Sequence, residues 1–574
     1  MLSVEQTLAE RLPWLASRPV IRRPLASVLS RLADERGFNA ALTRAGPCAG
    51  LAFVDHALEG LGVGYRVDLR EREHIPAEGP LLVVANHPLG MVDALAVLQL
   101  VGSVREDVRI LANDWLGAMK PLQPLLLPVN VFGGAASSLR GVYRAFARGE
   151  AVVIFPAGEV SRVRGTGVRD GRWAEGFARL ALRKRIPVLP VHVVARNSLA
   201  FYGLSLLARP LGTAMLPREA ASPSCRCLTL RVGALVAAEE LERRSGGSPR
   251  RAANLMRRHV YRIGGHRRPL FEGQTALAHP ESAARVAGDL LAHGEKLADL
   301  ADGKQIFLLP GAADGALIRE LGRLRELTFR QVGEGTGRRR DIDACDAYYE
   351  HLVLWDPAAV RIVGAYRLGD ARRILLGHGV TGLYTASLFN YAPAFVPTLA
   401  QGVELGRSFI AQAYWRSRAL DQLWQGIGLY LARRPHVRYL FGPVSLSASL
   451  PREAREWIVA AHRHYFGKPG LAAARRPFVV PAVTLSQVEA HLGGLDCKRG
   501  LNRLRHHLDA LGASLPVLYR RYVDLVEPQG VRFLDFGEDP AFSGCVDGLV
   551  MIDLAHVRPA MRQRYLQGSE PKSA

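Results

Sequence analysis

From Leu81 onward, apolar runs of strand length alternate with segments of helical period. LLVVAN precedes MVDALAVLQLV, VRILAN precedes WLGAMK, LLLPVNVF precedes LRGVYRAFARGE, and AVVIFPAG precedes GFARLALRKR and IPVLPVHVV. That alternation predicts a layered α/β domain. It runs over 67–235. A second α/β region is predicted over 301–574, with strands near His351–Leu354, Arg361–Leu368, Gly402–Phe409 and Tyr439–Ser445 and a helix over Arg416–Arg433. Residues 1–66 carry apolar positions at helical spacing, with Arg18, Arg22, Arg23 and Arg31 between them, and are predicted to form an amphipathic helical segment. Residues 236–300, with SGGSP and nine arginines from Arg243 to Arg268, are predicted to form a basic helical linker.

Composition narrows the functional classes. A chain of 574 residues exceeds one ordinary core, and 48% hydrophobic residues exclude disorder. The net charge of +22 calls for negative partners: nucleic acid, an anionic membrane or an acidic protein. Only seven of the 75 basic residues are lysines. Aromatics make up 7%, and they do not interleave with basic residues in the manner that stacks bases, so nucleic acid is not expected. No apolar run reaches 18 residues, so no membrane-spanning helix is expected. Glu5, Glu10 and Arg11 interrupt any signal-peptide core. The six cysteines are scattered and form no zinc-ligand grouping. Free thiols and a cytoplasmic location follow as expectations, with no metal.

The segment Asn86-His87-Pro88-Leu89-Gly90-Met91-Val92-Asp93 leaves a strand and enters a helix. A carboxylate on one imidazole nitrogen leaves the other free to accept a proton. A hydroxyl attacking a thioester needs such a base. Phe155-Pro156-Ala157-Gly158-Glu159-Val160-Ser161-Arg162 follows another strand, and Ile186-Pro187-Val188-Leu189-Pro190-Val191 forms a third. In order and spacing these blocks resemble the glycerolipid acyltransferase family. The resemblance implies His87 as general base, Asp93 as its orienting partner, and Glu159, Ser161 and Arg162 in acceptor binding. Three positions depart from the family pattern. Five residues rather than four separate His87 from Asp93, Ala157 stands where the family has Glu, and the stretch Asn130-Val131-Phe132-Gly133 lacks the usual Arg.

A second series runs through LGRLRELTFR (Leu321–Arg330), Asp341-Ile342-Asp343-Ala344-Cys345-Asp346, Val363-Gly364-Ala365-Tyr366-Arg367-Leu368 and Glu404-Leu405-Gly406-Arg407. In a plain strand Glu404 and Arg407 point to opposite faces, so both reach one pocket only if the strand bulges or ends. The series resembles the acyl-homoserine-lactone synthase and ornithine N-acyltransferase group, whose fold is N-acetyltransferase-like (GNAT). It implies that Arg330, Asp343, Asp346, Arg367, Glu404 and Arg407 line the active site. Glu404 is a candidate to accept the proton of an amine nucleophile. Asp343 and Asp346 can hold a cationic amine; Arg367 and Arg407 can hold a carboxylate or brace the acids.

Leu423-Trp424-Gln425-Gly426-Ile427-Gly428 keeps both glycines of a pyrophosphate loop but has Leu423 in place of its basic or amide residue. That favours acyl carrier protein over free coenzyme A as thioester donor. Residues from Leu515 through Val550 look like the closing strands of the ornithine N-acyltransferase group. Both families in this order resemble the bifunctional ornithine lipid synthases. The resemblance implies N-acylation of ornithine with a 3-hydroxyacyl group, then O-acylation of the lyso-lipid's 3-hydroxyl. It needs no cofactor beyond the acyl thioester. Amino-acid and lyso-lipid substrates, acyl carrier protein and an anionic membrane surface are the expected partners, at the inner face of the cytoplasmic membrane. Another amino acid, glycine or lysine, is the nearest alternative; a lysophospholipid acyltransferase with an accessory GNAT domain is a further one.

Overall fold

In the computed structural model, the strand Leu81–Ala85 lies at the centre of a seven-stranded sheet and is wholly buried, as its unbroken apolar sequence requires. The structure describes residues 48–566 apart from 113–118, 129–134, 166, 208–211, 213–214, 221–225 and 312–313. Before 48 it describes 23–24, 26–27, 30–31 and 34–43. Most of the predicted N-terminal amphipathic segment, and the Asn130–Gly133 stretch, lie outside the described residues.

The chain divides into two units, Met1–His279 and Pro280–Ala574. The first contains β1 (Gly64–Arg66), β2 (Leu81–Ala85), β3 (Val108–Ala112), β4 (Leu126–Pro128), β5 (Ala151–Ile154), the hairpin β6 (Arg162–Arg164) and β7 (Gly167–Arg169), β8 (Val188–Val194) and β9 (Cys227–Val232). The sheet order is β1-β9-β8-β2-β5-β3-β4, parallel except for the β8–β9 pair. One face packs on α1 (Leu51–Gly60) and α2 (Met91–Gly102), around Phe53, Val54, Leu95 and Leu98. The other packs on α3 (Ala135–Ala147), α4 (Gly176–Lys184), α5 (Ala238–Ser245) and α6 (Pro249–Gly264), around Phe177, Leu241, Met256 and Val260. Helices cover both faces, which is the layered architecture expected from the alternation.

The stretch 236–300 is shared between the units. Its part up to His279 belongs to the first, where α5 and α6 close the core. Its remainder opens the second with α7 (Ala283–His293) and β10 (Glu295–Asp299). The burial of every third or fourth residue of α6, Ala252, Ala253, Met256, His259 and Val260, explains why a segment so rich in arginine packs as a core helix.

The second unit continues with β11 (Gln305–Leu309), α8 (Ala316–Gln331), β12 (Glu350–Asp356), β13 (Arg361–Asp370), β14 (Phe389–Tyr391), β15 (Gly402–Ile410), α9 (Ala419–Ala432), β16 (Tyr439–Leu446), α10 (Arg452–Phe466), β17 (Ala472–Ala474), α11 (Val517–Leu525), β18 (Val531–Asp539) and β19 (Cys545–Asp553). Its eight-stranded sheet has the order β10-β11-β12-β13-β15-β16-β19-β18. Every pair in it is antiparallel except β15–β16, which is parallel and spans only Gly402–Glu404 against Tyr439–Phe441. Beyond Glu404 and Phe441 these two strands pair no further. Residues 517–522, grouped above with the closing strands, form the helix α11. Pro516 caps it, and Tyr519, Tyr522 and Val523 are buried at helical spacing.

Candidate active sites

His87 sits just past the carboxyl end of β2, where parallel α/β sheets place reactive groups. Its Nδ1 stands 3.3 Å from Oδ2 of Asp93, which is fully buried in the first turn of α2. The same oxygen accepts the backbone N–H groups of Leu89 (2.7 Å) and Gly90 (3.0 Å), so the carboxylate closes the turn and orients the ring together. Gly90 at φ 85° absorbs the additional residue between His87 and Asp93, and a Cβ there would reach Val160 at 3.4 Å. Burial raises the Asp93 pKa above the usual carboxylate range. The imidazole packs on Phe155, ring centroids 4.3 Å apart, and is 19% exposed.

The Phe155–Arg162 block follows β5, beside β2. Glu159 pairs with Arg164 at 3.0 Å and lies 3.7 Å from Arg162. Ser161 is buried: its N–H donates to the His87 carbonyl at 2.7 Å and its hydroxyl donates to Asp170. Asp170, which carried no motif, is the anchor of the loop. It also accepts from the His87 N–H (3.3 Å) and from the Trp173 indole (2.9 Å), and its own N–H donates to the Tyr261 hydroxyl (2.7 Å). Tyr261 and Arg257, which donates to the Asp170 carbonyl at 2.8 Å, both come from α6. The basic helix thus supports the His87 loop. Asn86 is a second support: it exchanges two hydrogen bonds with Val193 of β8.

In the second unit three arginines interlock with three aspartates. Arg367, 1% exposed, donates to Asp343 at 2.6 Å and lies 3.3 Å from Asp346. Arg407 stands 2.9 Å from Asp341 and 3.6 Å from Asp343, and donates to the Tyr384 hydroxyl at 2.9 Å. Arg325 donates to Asp346 at 2.7 Å and to Nδ1 of His351 at 3.1 Å. Between the two readings left open above, the arginines brace the acids. Burial alone would raise Asp343 and Asp346, but Arg367 holds Asp343, and Arg325 with Arg367 holds Asp346, below the usual carboxylate range.

Arg330 is not part of this network. At the end of α8 its side chain reaches back to Glu326 (2.8 Å) and to the Arg338 carbonyl (2.6 Å). Arg325, five residues earlier, takes the inward position. Helical period was the available signal, since Arg325 lies four residues from buried Leu321 and from buried Phe329.

The condition set for Glu404 and Arg407 is met by a bulge. Ala365 pairs with Phe409 and Arg367 with Gly406, so two residues of β15 oppose one of β13, and Arg407 adopts φ 48°. Glu404 is 1% exposed. It accepts the Tyr349 hydroxyl and the backbone N–H groups of Tyr384 (3.1 Å) and Thr385 (2.6 Å), and burial raises its pKa. Gly426 and Gly428 lie inside α9, not in a phosphate loop. A Cβ on Gly428 would strike the Tyr565 carbonyl at 1.7 Å, and one on Gly426 would meet Leu352 at 2.9 Å, so both are packing glycines. Among the described residues no cluster of metal-ligating side chains occurs, and no helix is long and apolar enough to cross a membrane.

Comparison with known proteins decides the family. An acyltransferase family model matches residues 6–266, and an acetyltransferase (GNAT) domain model matches residues 324–425. The chain is 34% identical to a glycine N(alpha)-acyltransferase of Phocaeicola vulgatus, over 38% of this chain and 72% of that protein. The chain belongs to the aminolipid acyltransferases. It is also 30% identical to a lyso-glycine lipid O-acyltransferase of the same organism, over 33% of this chain and 69% of that one. A third relative, an L-ornithine N(alpha)-acyltransferase of Rhizobium meliloti, is 30% identical over 35% of this chain and 64% of its own length. The acyltransferase thus joins in one chain two domain types, and its relatives bear the names of an N-acylation and an O-acylation.

Proposed function

We propose that the chain is a bifunctional aminolipid synthase. Its second unit N-acylates the α-amine of ornithine with a 3-hydroxyacyl group from acyl carrier protein, and its first unit O-acylates the resulting hydroxyl. The observation that carries this reading is the coexistence of a carboxylate-oriented imidazole, His87 with Asp93, and a GNAT site of three braced aspartates in one chain. In the O-acylation His87 takes the hydroxyl proton as oxygen attacks the thioester, while Asp93 holds the ring and favours its protonated form. The net charge of +22 supports an acidic carrier and an anionic membrane as partners, on the cytoplasmic face. Arg416 and Arg418, exposed ahead of α9, offer cations to the single phosphate a carrier presents.

Glycine as the amino acid is a second reading, favoured by the higher identity to the glycine-named relative, 34% against 30%. Expression in a host without aminolipids, followed by mass spectrometry of its lipids, tests both. A new diacylated ornithine or glycine lipid is expected, and its head-group mass selects between them. Confirmed expression with no new aminolipid would sink the proposal.

A further inference from the structure

We propose that the helix Leu199–Leu207 is a membrane-docking element, which rests on an anionic lipid surface and holds the His87 loop against it. The inference deepens the O-acylation reading above and rests on it only for the lipid nature of the acceptor.

The helix, LAFYGLSLL, carries no charged residue. Its inner side is fixed: Phe201 and Tyr202 pack with Val160 and Met215 in a small core of their own. Its outer side is equally apolar. Leu199, Ala200, Gly203 and Leu206 are spaced to share one face and are all exposed, Leu199 to 89% and Leu206 to 72%. A surface helix in water ordinarily turns charged and polar side chains outward. Val163 extends the apolar surface. It pairs in register with Val168 across the β6–β7 hairpin, so the two share one face of it. Val168 packs against the Phe201 core, and Val163 is 41% exposed.

Polar anchors tie this helix to the catalytic loop. The Asn197 side-chain amide donates to the Pro88 carbonyl at 2.8 Å. Buried Glu219 accepts the Ser198 N–H (2.7 Å) and the Ser198 hydroxyl (2.6 Å) just ahead of the helix. Leu216, from the same short helix as Glu219, packs on the Phe201 core and lies 3.5 Å from where a Cβ on Gly90 would stand. The apolar face is thus carried beside the turn that holds His87.

Charge selects the occupant. Arg196 ahead of the helix, Arg169 next to Val168, and Arg218 next to Glu219 are exposed, and among the described residues none of the three has an acidic partner. The acids of the same segments are engaged. Glu219 is buried on Ser198, Asp170 is buried in the His87 loop, and Glu159 pairs with Arg164. An apolar stripe with an arginine margin matches acyl chains bordered by anionic headgroups. The stripe offers no hydrogen-bonding side chain to orient a protein partner, and a bilayer needs none. A lyso-lipid acceptor passes from that surface to His87 without crossing water.

The test uses the full chain and vesicles of phosphatidylcholine, alone or mixed with phosphatidylglycerol, read by co-sedimentation. The wild type should bind the anionic vesicles. Leu199→Asp combined with Leu206→Asp should lower the partition coefficient about 100-fold with Tm unchanged. Arg169→Gln, Arg196→Gln and Arg218→Gln together should cost about 100-fold on anionic vesicles and nothing on neutral ones. In Leu206→Trp the added emission should shift to the blue on vesicles and be quenched by brominated acyl chains. No binding by the wild type, wild-type binding by the double aspartate variant, or an unshifted emission from vesicle-bound Leu206→Trp overturns the inference. A shift produced without lipid, by carrier protein or by a rising concentration of the chain itself, assigns the face to those occupants and overturns it too. Vesicle binding requires no acyl donor, so a chain that docks by this helix yet makes no aminolipid refutes the O-acylation reading alone.

Discussion

In the first unit one imidazole leans on one buried carboxylate, and the ring keeps 19% of its surface in contact with solvent. In the second, Arg325, Arg367 and Arg407 and the aspartates 341, 343 and 346 form a network in which only Asp343 is appreciably exposed. The loop carrying His87 is held mainly by neutral and single-charge hydrogen bonds through Asp170, Ser161 and Asn86. Removing the reactive group there leaves the scaffold standing. In the second unit the groups that shape the site are also its buried charges, so structure and chemistry are removed together. The contrast fits the two nucleophiles proposed. A hydroxyl arrives neutral and needs a base at one atom, whereas an amino acid arrives charged and needs a prearranged field.

The largest effect that tests this contrast is Arg367→Met. Leaving Asp343 and Asp346 unpaired should cost the second unit about 3–5 kcal/mol. Hydrogen exchange should show the amides of β12 and β13 deprotected while those of β2 and β5 stay protected. Equal protection in the second unit would break the comparison. Next, His87→Ala should slow O-acylation about 1000-fold, ~4 kcal/mol in barrier, and leave a mono-acylated lyso-aminolipid. Its denaturation midpoint should scarcely move. Persistent diacyl lipid would dismiss His87 as the base.

The units should behave alike in acid. Each core holds a neutral histidine, His259 and His462, pushed down by burial to about 4 from the ordinary 6.5. Unfolded chain takes these protons below about 6.5, and folded chain only near 4. Stability is therefore complete above that window and falls as pH drops through it, on the order of 3 kcal/mol per residue. A Tm unchanged between pH 7 and 5 would contradict this. The smallest effect is Arg330→Ala. With its partners at the rim of α8, it should cost under about 1 kcal/mol and spare N-acylation, whereas Arg325→Ala should abolish it.

Much of this was legible in the sequence where local period and local chemistry agree. The apolar runs around Leu81 and Ala151 could only be covered strands, and the turn chemistry of Pro88 and Gly90 announced a strand-to-helix junction at His87. The misreadings occurred where tertiary contacts decide. Arg325 and Arg330 share one helix, and the period through Leu321 and Phe329 selects Arg325 only once that face is known to be the buried one. Gly426 and Gly428 match a phosphate loop in spacing but serve close helix packing. Asp170 joins residues from β2, the β5 loop and α6, a convergence that no linear motif encodes.

The bulge at Arg407 has a consequence for how this chain tolerates insertion and deletion. One supernumerary residue in β15 is what turns Arg407 toward Asp341 and Tyr384 after Glu404 has already faced the Tyr349 side. Excising Ser408 alone would regularise the ladder with β13. It would also swing the guanidinium to the other side of the sheet. Length, more than side-chain identity, is the quantity that mutation must preserve at that point.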